Sequence, residues 1–237
     1  NVKLDKDHLS IVIFPQNFED ALYDDGLDGF DDVFHWIKFS IDTCLKNNEI
    51  KKIFIKPHPN IDEINYPANY FALEKLKNLY SDNSQITILN KTSSIVALSK
   101  NLKFYGLTRC GTVSEEIVYL GQPMIGWVNG PWGKKFNFLL KWETIEQYKS
   151  IIENLSYDSW KKPSKSQIDD LYLYVKCQIE TIKSSENKKN TRLFLTSKFS
   201  DETNWNYKDY EQVMANMRHG SKTYNKVIKS LYDEYFL

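Results

Sequence analysis

The sequence predicts an α/β fold in which a parallel sheet of about five strands is covered by helices on both faces and followed by further helices. Up to about residue 143, short apolar runs rich in β-branched residues alternate with amphipathic stretches, which is typical of a doubly wound parallel sheet. Beyond that point the pattern is helical. The 41% hydrophobic and 26% charged residues of this 237-residue chain are ordinary for a globular protein with a sizeable core.

The individual elements follow from local patterns. Strands are predicted where β-branched and apolar residues cluster, at residues 9–15, 50–57, 85–90, 102–108 and 123–128. Helices are predicted where apolar residues recur at helical spacing, at residues 30–48, 68–82, 93–101 and 112–121, with Gly121 closing the last of these. Residues 1–155 are therefore predicted to form a Rossmann-like domain, and residues 156–237 a helical C-terminal extension that packs on it.

Charge and cysteine content exclude several classes of protein. Lysine plus arginine equals aspartate plus glutamate at 31 each, so no net positive charge attracts the protein to nucleic acid. No apolar run reaches the roughly 18 residues of a membrane span. The three cysteines contain no CxxC pair, which favours reduced thiols in the cytoplasm over a zinc site.

The stretch IFIKPHPN at residues 53–60 places Lys56 and His58 directly after a predicted strand. Ligands of open parallel sheets bind beyond the carboxyl ends of the strands. Pro57 and Pro59 stiffen the loop, so a fixed imidazole beside an ammonium predicts an anion site, most simply for a phosphate. The alternative is that His58 only caps a turn.

A second candidate stretch is LTRCGTVSEEIVYLG, residues 107–121. Gly111 permits a tight turn, and Thr112 and Ser114 open a helix whose first N–H groups and hydroxyls can bind an anion. The alternative is an ordinary capping box from Thr112 to Glu115. If Glu115 forms that box, Glu116 has no structural role in the cap. Its carboxylate could then accept hydrogen bonds from a ribose diol. Arg109 either adds a cation for the same ligand or pairs with a surface acid.

Two loops leave alternatives open. The acidic stretch QNFEDALYDDGLDGFDD at residues 16–32 lacks the spacing of an EF-hand and is predicted to be a solvated loop rather than a calcium site. The stretch NGPWGKKFNF at residues 129–138 either closes over a ligand or is an ordinary connection anchored by aromatic residues.

The two candidate stretches together resemble a known family. KPHP followed downstream by GTVSEEIVYLGQPMI is similar to the motifs of bacterial capsule and surface polysaccharide biosynthesis proteins. These are glycosyltransferases of the GT-B type, including Kdo transferases that use a CMP-activated sugar. Members carry Lys/Arg-x-His-Pro and, further on, Gly-Thr-x-x-x-Glu with Gly-x-Pro after its helix. The resemblance spans roughly residues 10–155 and corresponds to the carboxyl-terminal, donor-binding half of a GT-B enzyme.

The resemblance implies a function and a set of site residues. The histidine of the motif corresponds to His58, its phosphate-side hydroxyls to Thr112 and Ser114, and its acid to Glu116, which implies that His58 and Glu116 are catalytic. Arg109 departs from the family pattern. With the neighbouring residues of both stretches, the predicted nucleotide- and phosphate-binding set is Lys56, His58, Arg109, Gly111, Thr112, Ser114 and Glu116. We expect Lys56, His58, Thr112 and Glu116 to converge on one pocket. The donor would be a nucleotide sugar, with a CMP-sugar favoured, and neither a metal nor a cofactor is expected.

The same resemblance implies partners and a location. A glycan would be the acceptor, and an N-terminal acceptor-binding domain is expected outside this chain. The expected location is the cytoplasm, and peripheral association with the inner face of the membrane stays open as an alternative. The alternative function is a non-catalytic nucleotide-binding or scaffold module of a polysaccharide assembly machine.

Overall fold

The computed structural model describes residues 6–18, 28–59, 61, 64 and 67–184. Its strands are β1 Leu9–Ile13, β2 Ile50–Ile55, β3 Ile86–Ile88, β4 Lys103–Leu107, β5 Met124–Trp127 and β6 Leu140–Trp142. Its helices are α1 Val33–Cys44, α2 Pro67–Leu79, α3 Ile95–Asn101, α4 Val113–Tyr119, α5 Ile145–Glu153 and α6 Lys165–Ser184.

The six strands form one sheet in the order β3-β2-β1-β4-β5-β6, and every neighbouring pair is parallel. The predicted fold class, a Rossmann-like parallel sheet flanked by helices, is therefore confirmed. The sheet has one strand more than the five that the sequence pattern indicated. The added strand β6 has three residues, Leu-Lys-Trp, which is too short to produce a recognisable strand pattern.

Local signals set the helix boundaries. The side chains of Asp32, Ser94 and Thr144 each accept a backbone N–H of the first turn, at the starts of α1, α3 and α5. After α4, Gly121 has a φ of 84°, a left-handed conformation that glycine adopts without strain. The predicted glycine at the end of this helix is thus observed.

The core lies on both faces of the sheet. One face packs Ile11, Ile13 and their strand neighbours against Trp36, Ile37 and Ile41 of α1, together with residues of α2 and α5. Side chains alternate along a strand, so Val12, Phe54 and Phe104 point to the other face, where they are also fully buried. Burial on both faces explains why the strand sequences are nearly continuous apolar runs.

The chain divides into two compact units, residues 1–168 and 169–237. Helix α6 begins in the first unit, and its remainder makes up the described part of the second. The part of the predicted helical extension beyond residue 184 lies outside the described residues. The predicted division into a sheet domain and a packed helical extension stays a prediction.

Candidate functional site

The strand order places a binding crevice at the carboxyl end of β1. Successive strands run outward from β1 through β2 to β3, and then outward in the other direction from β4 to β6. This reversal between β1 and β4 is a topological switch point, where ligands of open α/β sheets bind. The loops that follow β1, β2 and β4 all begin at this edge. Backbone bonds join them there, from Phe14 N–H to the Leu107 carbonyl at 2.8 Å and from Lys56 N–H to the Ile13 carbonyl at 2.9 Å.

Lys56 occupies the first position after β2 and is buried, with 8% of its surface exposed. Its Nζ donates to the carbonyl of Pro57 at 3.1 Å and to the carbonyl of Lys91 at 2.7 Å. The ammonium therefore ties the loop after β2 to the loop after β3. Burial lowers the pKa of Lys56 below its usual value, and the negative charge of Glu116 opposes that shift.

Glu116 lies in the first turn of α4 and is half-buried, and its carboxyl group shows the reciprocal effect. Burial raises the pKa of its carboxyl group above the usual value, and the positive charge of Lys56 opposes the shift. Each charge thus stabilises the other in a poorly solvated place. The fold places Lys56 and Glu116, one from each of the two stretches that the sequence singled out, at the same edge of the sheet.

His58 lines a small cleft between the loop after β1 and helix α2. Most of the residues around it are apolar; the lining comprises Pro15, Gln16, Phe18, Pro57, His58, Ile61, Asn69, Leu73 and Leu76. Neither Lys56 nor Glu116 is among these residues. The expected convergence of Lys56, His58, Thr112 and Glu116 on one pocket therefore stays a prediction.

The turn before α4 shows why a glycine stands at position 111. Its N–H donates to the Thr108 hydroxyl at 3.1 Å, and a Cβ at this position would lie 2.6 Å from the same oxygen. The Thr112 side chain is exposed and makes no capping hydrogen bond, so the hydroxyl half of the predicted capping box is wrong. Thr112 is open to a ligand. Ser114 is fully buried, and its Oγ has no hydrogen-bond partner among the described residues.

The structure decides between the two alternatives for Arg109, a cation for the ligand or the partner of an acidic residue. Its Nε donates to Oδ2 of Asp28, and both residues are 3% exposed. The acid that pairs with Arg109 is thus buried rather than on the surface. Asp28 belongs to the acidic stretch predicted to be solvated, and for this residue that prediction is wrong. The reason is that Arg109, 81 positions away in sequence, neutralises it inside the protein.

Sequence reasoning missed two asparagines that fix the loop after β1. Asn69 of α2 accepts the Phe18 N–H at 2.6 Å and donates from Nδ2 to the Asn17 Oδ1 at 2.6 Å. Both asparagines are buried. The available signal was a polar residue, Asn69, on the buried side of a helix, because buried amides are normally hydrogen-bonded.

The loop after β5 is anchored by aromatic side chains. The Trp132 indole donates to the Trp127 carbonyl at 2.9 Å. A Cβ at Gly126 or at Gly130 would lie 2.5 Å from the indole ring, so both positions need a glycine. The Lys141 Nζ donates to two carbonyls of the same loop. These contacts favour the ordinary connection over a closing lid.

Two negative findings apply to the described ranges only. Within residues 6–18, 28–59 and 67–184, no three His, Cys, Asp or Glu side chains gather closely enough to hold a metal ion. In the same part of the chain, the helices are too short or too polar to cross a membrane.

Comparison with known proteins shows a distant structural likeness. No model of a known protein family matches the chain, and no curated protein matches it. Among solved structures, the chain is similar to the crystal structure of AviGT4, a glycosyltransferase involved in Avilamycin A biosynthesis. The TM-score is 0.38 at 10% identity, and the match covers 73% of this chain and 50% of that one. This chain therefore spans about half of that protein, and the likeness assigns it neither a family nor an activity.

Proposed function

We propose that this chain is the donor-binding half of a GT-B-type glycosyltransferase of capsule or surface polysaccharide biosynthesis. The sugar, such as Kdo, would come from a CMP-activated or other nucleotide donor. One observation carries the proposal. At the switch point of a Rossmann-like sheet, Lys56 of the KPHP stretch follows β2 and Glu116 of the GTVSEE stretch follows β4, the two strands that flank β1.

Each residue of the site has a role in this proposal. Glu116 accepts hydrogen bonds from the ribose diol, since a carboxylate accepts without donating. His58 and the exposed Thr112 hydroxyl contact the donor phosphate. The bond between the sugar's anomeric carbon and the phosphate oxygen breaks as an acceptor hydroxyl oxygen bonds to that carbon, and the hydroxyl proton passes to a base that the acceptor-binding domain would supply. The leaving phosphate gains negative charge, which His58 stabilises from a fixed position by donating a ring N–H.

The proposal requires an acceptor-binding domain. A GT-B cleft is formed between two Rossmann-like domains, and the described residues build one such sheet. The acceptor glycan and the partner domain are therefore proposals as well, as is a cytoplasmic location at the inner face of the membrane. Arg109 and Ser114 are buried and take no part.

Replacing Glu116 with glutamine is expected to weaken the binding of both CMP and cytidine about tenfold. A charged acceptor contributes about 1.5–3 kcal/mol to a hydrogen bond and a neutral one about 1 kcal/mol, and 1.4 kcal/mol corresponds to one decade of affinity. His58→Ala should weaken CMP binding and leave cytidine binding unchanged, because its proposed partner is the phosphate. Calorimetric titration of each variant with both ligands measures these affinities.

Matched controls come from exposed positions. Glu153→Gln on α5 and His35→Ala on α1 should leave both affinities unchanged. Equal losses of CMP and cytidine in His58→Ala would show that His58 does not contact the phosphate. Absence of any nucleotide binding by the native protein would overturn the proposed function. Nucleotide-sugar binding without sugar transfer by the complete enzyme would favour the non-catalytic module.

A further inference from the structure

The small cleft between the loop after β1 and helix α2 has rigid walls. Pro15 and Pro57 line it, both are buried, and each fixes its own φ. The loop after β1 is tied to α2 through Asn69, which accepts the Phe18 N–H and donates to the Asn17 Oδ1, both at 2.6 Å. The cleft is therefore formed in the free protein, and a ligand would have to order little of the chain on binding.

One polar atom at this cleft is unsatisfied. Gln16 lines the cleft, and its Oε1 is buried with no hydrogen-bond partner among the described residues. The amide of Asn69, another lining residue, is already bonded to Phe18 and Asn17. A buried amide oxygen without a donor is unfavourable, so a ligand that donates an N–H to Gln16 would remove this cost.

The rest of the cleft is narrow and mostly apolar. Its cavity volume is about 10 Å³, the space of one water-sized group, so a methyl group fits where a sugar ring or a nucleobase is too large. Phe18, Leu73 and Leu76 supply apolar walls. A buried water normally makes two to four hydrogen bonds, and walls of this kind favour an apolar group instead.

We propose that this cleft binds an acylamino group, such as acetamido, on the donor sugar, with the amide N–H donating to the Gln16 Oε1 and the acyl methyl group lying against the apolar walls. In a trans amide the N–H and the acyl carbon chain lie on the same side of the C–N bond, so one group satisfies both features of the cleft. No other common sugar substituent joins an N–H donor to a methyl group in this way.

The assignment to the donor sugar rests on the proposed function. His58 lines the same cleft and is proposed to contact the donor phosphate. An acylamino group on the carbon next to the anomeric carbon stands only a few bonds from that phosphate. The inference narrows the donor to acylated amino sugars, and a sugar without such a group, Kdo included, would gain nothing from the cleft.

Two small molecules of nearly the same shape test the cleft directly. N-methylacetamide has the N–H, and methyl acetate has an ester oxygen in its place. NMR titration followed at the Phe18 backbone amide should show N-methylacetamide binding about fivefold more tightly to the native protein, the effect of one neutral hydrogen bond. Gln16→Met keeps the side-chain length without the amide and should abolish this preference, whereas Gln147→Met, at an exposed glutamine of α5, should keep it.

A second variant tests the apolar walls, and a second pair of ligands tests the donor. Leu73→Ala should weaken the binding of both small molecules alike, because it removes part of the wall and leaves Gln16 in place. UDP-N-acetylglucosamine should bind the native protein about fivefold more tightly than UDP-glucose, and Gln16→Met should remove that difference as well. Calorimetric titration measures the two nucleotide sugars.

Several results would overturn the inference. Equal affinity of the native protein for N-methylacetamide and methyl acetate, or a preference that survives in Gln16→Met, would show that Gln16 does not accept the N–H. Binding of neither molecule would leave a cleft that holds water only. A preference for N-methylacetamide without one for UDP-N-acetylglucosamine would make the assignment to the donor sugar wrong. If the native protein binds no nucleotide, the proposed function fails, and the titration with the small molecules still decides what the cleft binds.

Discussion

Replacing Asp28 with alanine is expected to lower the free energy of unfolding by about 3–5 kcal/mol, because the Arg109 guanidinium would stay buried without its counter-charge. Asp28 accepts the Arg109 Nε through Oδ2 and the Phe30 N–H through Oδ1 at 3.0 Å, so the substitution removes both bonds. Among the described residues, the Arg109 Nη1 already lacks a hydrogen-bond partner, so it offers no alternative bond when Asp28 is removed. Urea unfolding followed by tryptophan fluorescence measures the change.

Two further variants test the cause of that loss. Asp31→Ala removes a neighbouring aspartate whose side chain is 89% exposed, and should change stability by less than about 0.5 kcal/mol. Replacing both partners, with Asp28→Leu and Arg109→Met together, should recover part of the stability, since an apolar pair carries no uncompensated charge. A double variant less stable than Asp28→Ala would show that the lost charge pairing is not the cause.

Replacing Gln122 with leucine is expected to cost about 2–4 kcal/mol of stability, since several buried backbone groups would lose their partners at once. The Gln122 Oε1 accepts the Phe104 N–H at 3.2 Å, and its Nε2 donates to the carbonyls of Ser99 and Leu102 at 2.9 and 3.0 Å. Along β4, the N–H groups of Gly106 and Thr108 donate to the backbone of the neighbouring segment. The Phe104 N–H has no such backbone acceptor, and the Gln122 side chain takes that place.

Gln147→Leu is the matched control for this prediction. The Gln147 side chain is exposed and accepts one backbone N–H, that of Glu143 at 2.8 Å, so its loss should cost about 1 kcal/mol. Thermal and urea unfolding of the two variants provide the comparison. Equal destabilisation by both substitutions would show that burial of the bonded groups, the reason given for the larger effect, does not matter here.

The sequence predicted the elements well because the signals involved are local. A run such as LSIVI becomes a strand from its own β-branched residues, and the glycine after α4 ends that helix through its own backbone freedom. The same local signals placed Lys56, His58, Thr112 and Glu116 at strand ends and helix starts. Strand β6 was not predicted, because its three residues depend on pairing with β5 and show no strand pattern by themselves.

By itself, then, the sequence determined the α/β class, the order of its elements and the two stretches that form the candidate site. Only the tertiary structure decided which of their side chains face each other. It buried Asp28 against Arg109, turned Ser114 into the interior and placed Lys56 and Glu116 at the same edge of the sheet. The physical reason is that burial and charge pairing depend on residues far apart in the chain, whose proximity is fixed by the strand order rather than by any local pattern.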